Sequence, residues 1–464
     1  MGDKKRPRGL KQAKAAESSE AGASGKRGVP VALSAKSTDR WTVTPAASET
    51  PAAESTESRK KQRKVSAASQ AASGAEAESK AAASGPGTLM FEVSGASNEV
   101  EEVEQMLLRA LADLEADQLQ DSVLLLRGCV HECDKMVRIR SGDIPNATDE
   151  EREVQLAAVR ETPILPAVFH FYYGTALFNL GLVEQAIASA GDVQDEQGEA
   201  DLMQYMDAAI DRLEMGLELP DDEALAHAKI HGMLGKIKLH KAALMRDNPD
   251  AAAAVLDESE KHMREAMDAG FSKQAKKADR VEVLSDAAAA CFAFADKHAT
   301  TSDDTRRWAD LTEKLWQLVR KVDAKNTNAL VGLGSVSLLR GDQIIQAAEE
   351  MEDPEAKAAM LETANAPLKQ AVEFFREALK RGADKDADGK PNVPVLCLVG
   401  EACVHLGNIN DDDDDEGLDS AVALEYYTEA MRAFKTIQAS DPDALPAHFA
   451  EFVADWEADM VDQQ

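Results

Sequence analysis

The sequence predicts an all-α protein: an irregular tetratricopeptide-like α-solenoid preceded by a disordered N-terminal tail. Three observations predict it. From Asn98 onward, apolar residues recur at helical rather than strand spacing. Pairs of glycines seven residues apart recur at Gly174 and Gly181, Gly334 and Gly341, and Gly400 and Gly407. Before residue 98 the chain is dominated by Ala, Ser, Gly, Glu and Lys, and its aromatic residues are Trp41 and Phe91 alone.

A segment of that composition cannot bury enough apolar surface to offset the entropy of ordering its backbone. Residues 1–97 therefore read as a tail, and 98–464 as the folded body. Two basic clusters punctuate the tail. One holds Lys4, Lys5, Arg6 and Arg8; the other holds Arg59, Lys60, Lys61, Arg63 and Lys64. Such density in an exposed chain marks candidate nuclear-import signals, hence an import receptor as partner and the nucleus as location. The plainer alternative is a solvated charge run or weak nucleic-acid contact.

The body reads helix by helix. Leu107, Leu111 and Leu114 share one helical face, and Val123, Leu126, Val130 and Val137 share the next. Leu165, Val168, Phe169, Tyr172, Ala176, Leu177 and Leu180 then form an apolar face that includes Gly174 and leads to Gly181. Small residues at these places let two helices approach closely, as in a tetratricopeptide hairpin. The second helix of such a hairpin takes a small residue, a large one four later, and a small one three later. Ala371, Phe375 and Ala378 fit, as do Ala423, Tyr427 and Ala430. Ala209, Leu213 and Gly216 also fit, and Ser259, Met263 and Ala266 fit loosely. Turn chemistry at 218–222, 322–326 and 440–444 closes the units.

The repeats are uneven. An acidic insert near 410–417, containing Asp411 to Glu416, separates two helices of one hairpin. Residues 342–370 exceed a standard unit and read as extra helix. The expected result is a solenoid of five or six hairpins whose concave face binds an extended peptide or a partner's helix. The alternative is ordinary core packing in an unrelated helical fold.

The formal net charge is −32, unevenly distributed. Residues 1–90 carry 16 Lys+Arg and 9 Asp+Glu, leaving 36 basic and 75 acidic residues in 91–464. An acidic body repels phosphate backbones, so no direct nucleic-acid contact is expected; a basic protein partner suits it better. Solubility alone would also explain the acid. Five cysteines, two close pairs and one single, do not form a secreted disulfide framework. No 18-residue apolar run is read in the sequence, so no membrane span is expected.

Catalytic signatures are absent from the sequence: no P-loop, no His-Glu-x-x-His and no Gly-x-Ser-x-Gly. The Gly332–Gly334 pair lies inside a helical pattern without a preceding strand, which excludes a dinucleotide fingerprint. The acidic insert lacks the alternating ligand pattern of a calcium loop. The stretch GCVHECDK at 128–135 holds the densest reactive atoms. On a helix Cys129 and Cys133 share a face, while His131 lies roughly 200° around from them. The three cannot converge on one metal, and the thiols lack a neighbouring base. Neither catalytic residues nor cofactor or metal ligands are assigned. Cys133 reads as core and His131 as solvent-facing or inter-helical.

This stretch, within LLLRGCVHECDKMVR at 124–138, resembles the Gly-x-x-His-Glu-Cys-Asp segment of the fungal enhancer of translation termination family. His131, Glu132, Cys133 and Asp134 carry that signature. The basic start KRPRGLKQAK, ILPAVFHFYYGTALFNLGL at 164–182 and RLEMGLELPDDEALAHAKI at 212–230 are also similar to the family. The long Ala/Ser-rich tail and the acidic insert depart from its pattern. The resemblance implies a nuclear, non-enzymatic all-α adaptor required for correct translation termination and involved in oxygen-linked (hypoxic) gene regulation. It implies as partner a prolyl-hydroxylase-like, iron- and 2-oxoglutarate-dependent dioxygenase, whose iron and 2-oxoglutarate belong to the partner. The alternative is a general tetratricopeptide-type peptide-binding scaffold or co-chaperone.

Overall fold

The structure is a computed structural model. It describes residues 98–462 except for connecting segments, chiefly within 142–163 and at 190–195, 221–224, 271–274, 387–388 and 412–417. The tail with both basic clusters lies outside the described residues, as does nearly all of the acidic insert.

Among the described residues, thirteen α-helices follow one another and no strand forms. The first three hairpins comprise α1 (Glu99–Glu115) with α2 (Leu119–Ser141), α3 (Ala167–Ser189) with α4 (Glu196–Leu217), and α5 (Ala226–Leu244) with α6 (Pro249–Gly270). The next three comprise α7 (Lys277–Lys297) with α8 (Ser302–Val322), α9 (Thr327–Glu349) with α10 (Pro354–Lys380), and α11 (Val393–Asn410) with α12 (Leu418–Ser440). A closing helix, α13 (Ala447–Asp462), packs on α12. Each hairpin touches its neighbours, and the first helices of successive hairpins stack on one another. That is the solenoid the periodicity predicts, with six hairpins.

Local signals start the helices. Asn98 caps α1 by accepting from the amides of Val100 and Glu101, each at 3.0 Å. This sets the boundary where the composition changes. Thr301, Asn326 and Asp353 cap α8, α9 and α10 in the same way.

First and second helices have different surroundings. In α9, every residue from Ala329 to Leu338 is buried. The serines within that run satisfy themselves: Ser335 donates to the Val331 carbonyl at 3.1 Å, and Ser337 to that of Leu333 at 3.0 Å. In α8 the buried residues instead form one stripe that includes Trp308, Leu311, Leu315 and Val319.

At the glycine pairs the second helices press close. Gly174 faces Leu213, Gly334 faces Phe375, and Gly341 faces Leu368. Gly400 faces Phe434 and Gly407 faces Tyr427. The opposing large residues are themselves seven apart, at 368 and 375 and at 427 and 434. Two antiparallel ridges therefore mesh over two turns of helix.

The excess at 342–370 is helix, as its pattern predicts: it lengthens α9 to Glu349 and extends α10 to 27 residues. Pro354 starts α10, and the second proline, Pro367, is accommodated inside it. One expectation needs correction: the apolar run at Val393–Asn410 is longer than the sequence reading allowed. By length and composition alone it would pass for a membrane span. Half of it is buried inside the protein, with Val395, Val399, Ala402, Cys403 and Leu406 in the core, so it is the first helix of the last hairpin.

Candidate functional site

The signature on α2 divides by helical geometry. Cys129 and Cys133 are both fully buried, and the Cys129 thiol lies 3.8 Å from the Val103 carbonyl oxygen on α1. The neighbouring Cys129 thiol, then burial, pushes the Cys133 thiol far above its ordinary range. His131 is exposed on the other side of the helix. Glu132 pairs with Lys135 at 2.8 Å on the surface. The four signature residues therefore fall on different sides of α2.

Asp134 has a role that its spacing did not disclose. Its carboxylate accepts a 2.5 Å hydrogen bond from the Tyr173 hydroxyl on α3. The Arg212 guanidinium on α4 stands 5.0 Å from the centre of the Tyr173 ring. Burial, reinforced by Asp134, raises the Tyr173 hydroxyl pKa well above its usual value, keeping it a donor. This chain of contacts locks the first hairpin to the second. Tyr172 adds a second tie, donating to Glu104 on α1 at 2.7 Å.

Basic side chains cross every hairpin junction. Arg127 on α2 pairs with Glu184 on α3 at 2.8 Å. Lys241 on α5 pairs with Asp207 on α4. Arg307 on α8 reaches back to Asp257 at 2.8 Å and to Glu260, both on α6. Arg340 on α9 grips Asp310 and Glu313 on α8, each at 2.7 Å. Arg376 on α10 meets both oxygens of Glu429 on α12, its Nε lying 3.0 and 3.2 Å from them. Lys435 on α12 pairs with Glu457 on α13 at 2.8 Å. Among the described residues, these side chains place positive charge between neighbouring elements, in a body where carboxylates outnumber cations.

The surface also has an opening. A cleft of about 650 Å³ lies between α10 and α12, bounded by Arg376, Leu379, Lys380, Leu424, Glu429 and Arg432. Leu424 is half-exposed at its edge. Its lining residues all belong to α10 and α12, so this cleft lies between second helices.

In α5 and α6, His231 and His262 meet Nδ1 to Nδ1 at 2.9 Å. Burial lowers both, His262 to about 4, so the pair shares a proton between neutral rings near neutral pH. Neither histidine belongs to a motif in the sequence. The import candidates Lys4, Lys5, Arg6, Arg8, Arg59, Lys60, Lys61, Arg63 and Lys64 lie outside the described residues.

Residues 55–313, more than half of the chain, match the protein family described as nuclear pore complex subunit Nro1. Enhancer of translation termination 1 of Yarrowia lipolytica is 22% identical over 355 residues, covering 69% of this chain and 77% of that protein. The protein of the same name from Candida tropicalis is 29% identical over 123 residues, 26% of this chain and 24% of its own. Among solved structures, one described as the hypoxic regulator of sterol synthesis Nro1, a nuclear import adaptor, is 19% identical. It aligns over 77% of this chain and 93% of its own with a TM-score of 0.45. The S. pombe nuclear import adaptor Nro1, also 19% identical, aligns over 77% of this chain and 98% of its own at 0.43.

Proposed function

The chain belongs to the Nro1 family, and from that membership we propose that it is a non-catalytic nuclear import adaptor. Nuclear localisation goes with the family. In this reading the basic clusters of the tail engage an import receptor, and the acidic helical body carries the partner. One observation supports it above the others: Arg127, Lys241, Arg307, Arg340 and Arg376 pair with carboxylates across the hairpin junctions. The surface left over suits a partner with a basic face.

The partner proposed is a prolyl-hydroxylase-like dioxygenase, on the strength of the resemblance of the 124–138 segment. A contribution to translation termination, as in the relatives named for it, and to hypoxic gene regulation belongs to the same proposal. The iron and 2-oxoglutarate stay with the partner.

Affinity capture of the full-length chain from nuclear extract, read by mass spectrometry, tests this. The expected catch is a 2-oxoglutarate dioxygenase together with an import receptor. Substituting Arg59, Lys60, Lys61, Arg63 and Lys64 by Ala, together with the Lys4–Arg8 cluster, should abolish receptor capture and leave the dioxygenase bound. Capture of chaperones with neither expected partner would replace this reading with the peptide-scaffold alternative.

A further inference from the structure

Three side chains that no sequence motif connects converge between the fifth and sixth hairpins. Asp342 lies on α9, immediately after Gly341. Glu401 and His405 lie on α11, four residues apart and so on one face of the helix. One ligand-type atom from each falls within 4.8 Å of the other two. The His405 Nε2 is 3.1 Å from the Asp342 Oδ1. The His405 side chain is 15% exposed and that of Asp342 25%, so the cluster is enclosed on the protein side yet reachable from solvent.

The geometry points to a divalent transition-metal site formed by Asp342, Glu401 and His405. Two ligands about 2.1 Å from one ion stand about 3.0 to 3.5 Å apart in octahedral or tetrahedral geometry. The Asp342–His405 separation already meets that spacing. The donors are two carboxylate oxygens and one imidazole nitrogen. Calcium and magnesium prefer oxygen alone, whereas zinc and its first-row neighbours take this mixture. Three protein ligands leave the remaining positions to water, consistent with the solvent access.

The position in the fold gives such an ion a task. α9 and α11 meet only along a short stretch. Leu368 of α10 covers the adjacent Gly341, while Asp342 faces α11. An ion held there ties the last hairpin and its closing helix to the rest of the solenoid. It would set the angle at which the α10–α12 cleft, across the same junction, is presented.

Metal-stripped full-length protein titrated with Zn²⁺ by calorimetry is the test. One site per chain is expected, with visible d–d bands when Co²⁺ is used and a melting temperature that rises with Zn²⁺. His405→Gln and Asp342→Asn should each weaken Zn²⁺ binding about tenfold or more, as expected for loss of one of three ligands. Their far-UV circular dichroism without metal should match the parent chain. If His405→Gln fails to fold, Glu401→Gln decides: weakened binding supports the site and unchanged binding overturns it. Because the Asp411–Glu416 insert could collect cations by charge alone, a variant with Asp412, Asp413 and Asp414 changed to Asn should retain the site. No binding at about 100 μM Zn²⁺, undiminished binding by His405→Gln, or loss with the insert variant overturns the inference.

Discussion

Phe375 lies so close over Gly334 that a Cβ on the glycine would sit 2.5 Å from the ring. The α9–α10 hairpin closes to that distance because the glycine has no side chain to hold the helices apart. Gly334→Ala forces the ring off its rotamer and should destabilise the fold by about 1–3 kcal/mol. Gly128, on α2, has no neighbouring atom within 4 Å of its added Cβ. There Ala should stabilise the helix by about 0.5–1 kcal/mol. Urea-denaturation midpoints of the two variants should move in opposite directions.

Asp134 and Tyr173 couple the first two hairpins. Tyr173→Phe removes the hydroxyl and leaves the half-buried carboxylate short of a donor, costing about 1–3 kcal/mol. Asp134→Asn retains an acceptor and should cost less. Hydrogen exchange should show the loss first in α2 and α3.

The thiols should be slow. Burial raises Cys291 and Cys403 well above the ordinary thiol range, and Cys397 to about 12. Cys133 is raised by contact with Cys129 and by burial. The thiolate is the reactive form. The native chain at pH 8 should therefore react slowly with a disulfide reagent at these positions, and all five cysteines should react once it is unfolded. A fast-reacting Cys133 would restore a nucleophile reading.

Stability should fall on mild acidification. Burial lowers His240 to about 3, with Lys236 and His298 adding to it, and lowers His262 to about 4. Folding thus favours the neutral rings. Below about pH 6.5 the unfolded chain takes up protons that the folded chain refuses, so stability drops until the folded pKa values are reached. Above pH 6.5 the contribution is complete. His240→Gln should flatten the melting temperature between pH 4 and 6.5, as measured by calorimetry.

Arg340 is held by Asp310 and Glu313 across the fourth junction. Arg340→Ala should lower stability by about 1 kcal/mol, and the loss should shrink in 1 M salt as screening weakens the pairs in the parent chain.

Much of this was legible along the chain. Gly334 with Gly341, and Ala371 with Phe375 and Ala378, marked a close-packed hairpin. Asn98 stood where the tail composition ended and became the cap of α1. The separation of His131 from Cys129 and Cys133 followed from helical angles alone. The bounds of α10 were not legible: Pro367 lies inside it, where packing accommodates a residue that usually breaks a helix. The register of the last hairpin was only half read. Tyr427 was picked out, but its partner ridge residue Phe434, which covers Gly400, was not.

By itself the sequence determined the all-α class, the hairpin scheme, the charge division between tail and body, and the family signature. Each depends on composition or on residues within a turn or two of one another, where helical geometry sets the distance. Tertiary structure alone decided that Asp134 reaches Tyr173, that Arg340 reaches Asp310, and that Asp342 meets Glu401 and His405. Those partners are brought together by how one hairpin stacks on the next. That stacking is set by the summed packing of many side chains across each junction, which the spacing of a few residues does not encode.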